Sequence, residues 1–401
     1  MTVSRHIAGN RWVMSIGMAT GLLLTLRHIG GIEGTTPLML GLLLLATVAI
    51  TTAGIKNNDR IKVNFWLAGF LVACALSLLI SEPVPLGYCW LRLAGFAVAL
   101  AALSPLMDSQ LFRIFRQGVW RGWWTGASLL TALSFLVLTF SIITSRVQDY
   151  QHFGFRGIMS LGMALSPIAA LTAIYALWRY FSRAQSLIHC LAWLLFYAAA
   201  TVTAIAAGSR IAVVGLIAAS VVIIALALRK SKARVLLVSA IIISIGALSL
   251  FSPQINDTIS MKMSYAAEAR TPFSSRLDKW EGRLAEFESS PLTGIGFSAQ
   301  TISSSRHDIP ELYLAGQSPE PGSSWLSLLA QTGLLGTALF VISQIVSYRS
   351  VRRSSGLQGA VLGFLLLNGL CEGWLLYSSA LLFPLFWMLP KAPESINADS
   401  L

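Results

Sequence analysis

A series of apolar runs, each roughly 18 to 22 residues long and nearly free of charge, constrains this chain more than any other feature. A helix of about that length is what crossing a bilayer requires. The composition agrees. Of 401 residues, 55% are apolar and 11% charged, and the mean hydropathy is +0.70. A soluble domain carries about a quarter charged residues. The expected fold is therefore all-α, a polytopic transmembrane helical bundle of about twelve spans. They fall near 12–26, 37–54, 63–80, 87–107, 123–144, 158–177, 187–206, 211–228, 235–251, 323–346, 358–376 and 379–390. Only a short turn joins the last two.

The basic residues orient these spans. The net charge is +12, but its distribution argues against nucleic acid as a partner. Eighteen Lys and Arg fall in the loops of one side, among them Arg60, Lys62, Arg113, Arg116, Arg179 and Lys391. The short loops of the other side hold four: Arg27, Arg146, Arg156 and Arg210. By the positive-inside rule the richer side is cytoplasmic, with both termini inside. Most of the basicity then forms a collar facing anionic lipid. The short basic N-terminus reads as an uncleaved signal anchor. The four cysteines lie in or beside apolar runs without a CxxC spacing, so neither a disulfide framework nor a metal site is indicated.

One long connection, 252–322, falls outside the cytoplasm; its 71 residues hold nine acids and six bases. The expected organisation is spans one to nine over 1–251, a periplasmic loop domain over 252–322, spans ten to twelve over 323–390 and a cytoplasmic tail over 391–401. Within the loop, SRLDKWEGRLAEFESSP predicts an amphipathic helix. Leu277, Trp280, Leu284 and Phe287 form one apolar face, and Asp278, Lys279, Glu281, Glu286 and Glu288 lie opposite. Ser274 or Ser275 can cap it and Pro291 ends it. Two readings stand: a surface helix on the membrane rim, or a lid over a site.

No DxD, HExxH, GxGxxG or P-loop motif occurs, so metal-assisted use of a nucleotide-activated donor has no visible support. No metal and no cofactor is expected. Sparse charges in or at the ends of spans carry more information, because burying them in hydrocarbon is unfavourable. Arg210, in AAGSRIAVVGL, lies on the outer side between two spans. It is either a snorkelling arginine or a fixed cation for a lipid-linked phosphate, which a guanidinium binds bidentately. Arg92 either snorkels or pairs with Glu82. Glu372, inside LCEGWLL, needs a partner or a cavity. Arg156 closes the third outer loop and Arg276 opens the loop helix. Each alone is ordinary surface charge. Together with Arg210 they are three outer cations on separate segments, as a pyrophosphate would require. His307, beside Asp308, is either a general base or a solvated loop histidine.

Four stretches together resemble the O-antigen ligase and O-antigen polymerase superfamily of bacterial membrane glycosyltransferases. GSRIAVVGL resembles its Ser-Arg-x-Ala element, placing that arginine on Arg210. SRLDKWEGRLAEFESSPLTGIGFS resembles an Arg-x-x-x-Trp element followed by Pro-Leu-x-Gly-x-Gly, placing Arg276 and Trp280. GSSWLSLLAQTGLLG resembles the start of a late helix that reads His-Asn-x-x-Leu…Gly-x-x-Gly. HFGFRGIMSLG resembles an Arg-x-x-Gly element, involving Arg156.

The resemblance implies a metal-independent transferase in the bacterial inner membrane, facing the periplasm. Its implied donor is a glycan on polyprenyl pyrophosphate and its acceptor is lipid A core or another lipid-linked glycan. A chain-length regulator is a further expected partner besides the lipid bilayer. Arginines would hold the pyrophosphate, and a histidine would activate the acceptor. Where ligases carry His-Asn, this chain has Gly322-Ser323, and neither residue can take a proton near neutral pH. Glu320 and His307 are the candidate substitutes. That departure shifts weight from ligation to lipid A core towards polymerisation of O-antigen or exopolysaccharide repeats. Ser323 or Ser324 would cap the helix and Glu320 with the serines would sit beside the reacting groups; Trp280 and Glu372 support. Gly333 and Gly336 suit close helix packing. A transporter or flippase for the same lipid-linked glycan is the rival from another class. It lacks clear paired half-repeats.

Overall fold

A computed structural model describes residues 11–30, 35–83, 86–143, 150–151, 154–160, 162–181, 186–228, 274–299, 322–349 and 356–391. The helices are α1 (Arg11–Leu26), α2 (Thr36–Lys56), α3 (Phe65–Ser81), α4 (Leu86–Leu103), α5 (Gln110–Ile143) and α6 (Gly162–Phe181). They continue as α7 (Leu187–Ala206), α8 (Arg210–Leu228), α9 (Ser274–Ser289), α10 (Ser324–Arg349), α11 (Gly356–Cys371) and the short α12 (Phe383–Met388). Two-residue strands add small antiparallel ladders: β1 (Lys62–Val63) on β2 (Met107–Asp108), and β3 (Tyr150–Gln151) on β4 (Gly154–Phe155).

Among the described residues six helices are long and apolar enough to cross a membrane: α2, α4, α5, α7, α8 and α10. Helices α1, α3 and α11 are apolar but shorter. The protein is thus a multi-pass helical membrane protein, and a count of twelve spans is not reached among these residues. The expected span 235–251 lies outside them. Two other expectations change. The span expected over 358–376 stops at Cys371, and the one expected over 379–390 is a turn followed by the six-residue α12. Outward faces carry bare apolar side chains, such as Ile188 at 77% and Leu195 at 71% exposure. Such faces suit hydrocarbon, where an exposed leucine carries no penalty.

Glycines set the tightest packing. Helices α1 and α5 lie side by side and parallel, with Gly17 against Gly118, Met18 against Gly122 and Thr25 against Gly126. A Cβ on Gly17, Gly21, Gly118 or Gly122 would strike the backbone of the partner helix. Small residues four apart let two backbones touch, which is how helices associate without a hydrophobic drive.

Helix α5 has 34 residues, roughly 50 Å, far more than a hydrocarbon core of about 30 Å. It begins at Gln110, well before the expected 123. Asp59 makes this possible by accepting the N–H groups of Gln110 (3.3 Å) and Leu111 (3.1 Å) at the helix start. Nearby Asp108 gathers Arg113 (3.1 Å), Arg116 (2.8 Å) and Lys391 (3.9 Å), which defines a basic end of the bundle. Arg116 therefore does not join a lipid-facing collar. Its side chain is 1% exposed and also donates to the carbonyls of Ser104 (2.8 Å) and Met107 (2.9 Å).

Helix α10 is broken at Gly333, whose φ of 61° and ψ of −168° are not helical. The segment 291–298 enters the gap. Leu334 and Leu335 donate to the carbonyls of Pro291 (2.9 Å) and Leu292 (3.2 Å), and Ile295 donates to Ala330 (2.9 Å). From α3, Ser77 Oγ donates to the Gln331 carbonyl (2.7 Å) and Ser81 Oγ to that of Gly294 (2.8 Å). The Gln331 side chain accepts the N–H of Ser298 (2.9 Å). Gly294 and Gly333 meet backbone to backbone, each with positive φ and no room for a Cβ.

The α1–α5 contact generates a test. Gly122→Leu drives a side chain into the Met18 backbone and is expected to destabilise the fold by more than about 3 kcal/mol. In detergent gel filtration it should lose the monodisperse peak. Gly41→Leu, where nothing lies within 4 Å, should keep it.

Candidate active site

The end of the bundle opposite Asp108 is assembled from short pieces. Helices α6 and α7 form a hairpin whose Ser166 hydroxyl donates to Ala204 (2.8 Å), far from their connection at 182–186. That places the α7–α8 turn, with Gly208 at φ 77° and Arg210 next to it, at this end. The preceding segment 154–160 pairs with the 27–30 turn after α1: Gly30 donates to Ile158 (3.1 Å) and Ser160 to His28 (3.1 Å). Arg27 donates to the carbonyls of Ser378 (3.5 Å) and Ser379, which ties in the irregular segment after α11. The charge of Arg27 is thereby matched by carbonyl oxygens rather than by a carboxylate. Burial beside Arg27 holds His28 well below its ordinary range, at about 3, so its imidazole is neutral near pH 7.

Helix α9 crosses this end. Arg276 Nη2 donates to Glu372 Oε1 at 2.9 Å, with side chains 13% and 21% exposed. Glu372 was expected inside a span. It instead follows the last residue of α11, where the helix has ended and its carboxylate reaches a cation on another segment. Trp280 Nε1 donates to the Gly322 carbonyl (3.4 Å), fixing α9 against the start of α10. The two serines are buried, at 2% and 1% exposure. Ser323 Oγ accepts the N–H of Leu326 (3.4 Å), a helix cap, and donates to Gly369 (3.3 Å). Ser324 Oγ donates to the Glu372 carbonyl (2.7 Å) and accepts from the N–H groups of Trp374 (3.0 Å) and Leu375 (3.3 Å). Both hydroxyls organise the 369–375 backbone, and with it Glu372.

The structure brings Arg276, Glu372, Trp280, Ser323 and Ser324 into one connected group. Arg210 is exposed at the start of α8 and Arg156 half-buried just after β4; both belong to the same end of the bundle. Glu320 and His307 lie outside the described residues. Arg92 meets Tyr88 Oη (2.8 Å) and stacks over the Tyr377 ring at 4.6 Å, holding the same irregular segment as Arg27.

The loop helix packs differently from its apolar pattern. Leu284, expected on the packing face, is 43% exposed. Glu286, expected on the polar face, is buried at 1% beside Arg283 at 4%, and the two pair at 2.7 Å. Opposite charges three residues apart were the available signal for this pair. Its burial comes from tertiary packing, which no local pattern records.

Gly322, where the family resemblance would place a histidine, is tightly constrained. Its φ is +76° and a Cβ there would meet Lys279. A histidine at this position would need a left-handed backbone and the space that Lys279 fills.

The family model for O-antigen ligase matches residues 194–341. Over that stretch the chain is similar to the O-antigen ligase family. The matched stretch runs from Leu194 in α7 through the break in α10 to Val341. It contains Arg210, Arg276, Trp280, Ser323 and Ser324, and leaves Arg156 and Glu372 outside. No curated protein matches the chain.

A double-mutant cycle tests the central ion pair. Arg276→Gln and Glu372→Gln should each lower the thermal midpoint in detergent, because each leaves a half-buried charge without its partner. The double variant should lose less than the sum, with a coupling of about 1–2 kcal/mol. Additive losses would show that the two side chains act independently.

Proposed function

We infer that this protein polymerises lipid-linked oligosaccharide repeats, of O-antigen or exopolysaccharide type, on the periplasmic face of a bacterial inner membrane. The observation that carries the reading is the Arg276–Glu372 pair, set where α11 ends and α10 begins, at the end of the bundle that also bears Arg210 and Arg156. The donor in this reading is a glycan on polyprenyl pyrophosphate. The acceptor is the terminal sugar of a second lipid-linked glycan.

The acceptor hydroxyl oxygen bonds to the donor's anomeric carbon while the bond from that carbon to the phosphate oxygen breaks. The hydroxyl proton passes to a base, Glu320 or His307. Polyprenyl pyrophosphate leaves with the bonding electrons, and the new charge on its oxygen is met by Arg210, Arg276 and Arg156. Such preorganised contacts are typically worth ~3–4 kcal/mol each in rate. Glu372 has a supporting role. It compensates the Arg276 cation before the donor arrives and keeps the guanidinium in place, so little reorganisation accompanies binding. Trp280 and the two serines hold the scaffold on which that pair stands.

Ligation to lipid A core is the second reading, favoured by the O-antigen ligase description of the matching family. Gly322 weighs against it, since the position where ligases carry histidine here has a backbone and a neighbour that exclude one. A strain lacking the gene separates the two. Polymerase loss should leave single repeats on the carrier lipid, whereas ligase loss should leave long polymer there. In the polymerase reading, Arg210→Ala and Arg276→Ala should each abolish the chain-length ladder on a polysaccharide gel with membrane protein levels unchanged. Normal ladders from both variants would overturn the assignment. Repeats stranded on the cytoplasmic leaflet after gene loss would instead identify a flippase.

A further inference from the structure

A sizeable cavity lies away from the candidate active site. It is a groove of about 710 Å³ between α5, α6 and α7, with Met18 of α1 at its edge. Its wall is aromatic. Trp124 and Tyr175 stack at 4.6 Å, and Trp193 meets Tyr175 edge-on at 5.9 Å. Its length along α5, from Arg121 to Ala132, is roughly 16 Å. That is about half the ~30 Å thickness of a bilayer's hydrocarbon core. Leu129 and Met18 on its rim are 47% and 44% exposed, so the groove opens sideways towards lipid.

Two arginines stand at one end. Arg121 is exposed on α5, and Arg179 occupies the last turn of α6 with its guanidinium 5.4 Å from the Trp193 ring. This is the end of the α6–α7 connection, on the basic side of the bundle. Three buried donors lining the groove have no hydrogen-bond partner among the described residues: the indole N–H groups of Trp120 and Trp124, and Arg179 Nε. The two tryptophans are 1% and 4% exposed. Buried N–H groups are almost always satisfied, and an exception of this kind asks for an acceptor from outside the chain. Apolar length, a cationic mouth and orphan donors near it are the three parts of a phospholipid: acyl chain, phosphate and ester oxygens.

We propose that this groove is a binding site for a diacyl phospholipid with an anionic headgroup, drawn from the leaflet on the basic side of the protein. Its phosphate sits between Arg121 and Arg179, its ester oxygens accept from the indoles of Trp120 and Trp124, and one acyl chain runs along α5 past Leu129. The site is independent of the glycan chemistry. It anchors the α5–α6–α7 face at the depth of the headgroups and fills a groove that the helices leave open.

Native mass spectrometry of the full-length protein in detergent tests this, with phosphatidylglycerol, phosphatidylcholine and polyprenyl phosphate offered in turn and in competition. The expected result is retention of one phosphatidylglycerol with about tenfold preference over phosphatidylcholine, the scale set by two basic residues near a headgroup. The Arg121→Gln/Arg179→Gln double variant should bring the two to parity. Trp124→Phe keeps the ring packing and removes one donor; it should lower phosphatidylglycerol retention several-fold while leaving the lipid-free thermal midpoint unchanged. Equal retention of the two phospholipids by the parent would overturn the proposal. So would unchanged retention in both variants, and so would preferential capture of polyprenyl phosphate, which would make the groove a berth for a carrier lipid.

Discussion

Hydrocarbon offers no hydrogen bonds, and every broken turn of backbone inside this bundle must find its partners within the protein. The break at Gly333 is where that constraint acts most strongly. A helix interrupted there leaves N–H groups beyond it and carbonyls before it without their usual mates. The segment 291–298 supplies Pro291, Leu292 and Ile295, while α3 supplies the Ser77 hydroxyl to α10 and that of Ser81 to the segment's Gly294 carbonyl. The segment has no regular structure to satisfy its own backbone, and its carbonyls take up N–H groups that the break in α10 leaves over. Two glycines with positive φ allow the approach, and any Cβ would prevent it.

That insertion decides where the functional groups lie. Because 291–298 is locked into α10, the helix α9 just before it must start near the first turn of α10. There Trp280 reaches Gly322 and Arg276 reaches Glu372. The other end of the pair is equally constrained. Helix α11 ends at Cys371, and the irregular stretch that follows is held by Ser324, by the arginines Arg27 and Arg92, and by the indole of Trp387 on the Leu375 carbonyl (3.2 Å). The end of α11 and the start of α10 therefore meet at a single cation and a single carboxylate. Irregular backbone at membrane depth is tolerated where protein surrounds it or where it lines a cavity. Here it carries the charges from which the proposed chemistry is drawn.

Several parts of this arrangement were legible in the residues. The apolar runs of α2, α4, α7 and α8 were read close to their observed bounds, because a membrane span is encoded by local composition and length. The helix 274–289 was read from its capping serines and Pro291. Arg276, Trp280 and Arg210 were singled out as sparse charge and aromatic signals beside the spans. The packing face of α9 was misread. A buried Arg283–Glu286 pair looks like a solvated face when only periodicity is considered, since periodicity does not record which face tertiary packing buries. Arg116 was likewise read as part of a lipid-facing collar, whereas Asp108 and two carbonyls enclose it.

What this chain's sequence determined by itself is its solvent: long uncharged runs must lie in hydrocarbon as helices, and the basic loops choose a side. It also determined where the loop helix stops, at Pro291, whereas Gly333, expected to serve close helix packing, breaks α10 only in the tertiary structure. Tertiary structure alone decided what those interruptions accomplish. The parallel clasp of α1 on α5, the entry of 291–298 into α10 and the meeting of Arg276 with Glu372 join residues up to a hundred or more positions apart. Such contacts depend on which backbone polar groups are left over when distant helices come together. No stretch of sequence states that remainder before the chain has folded.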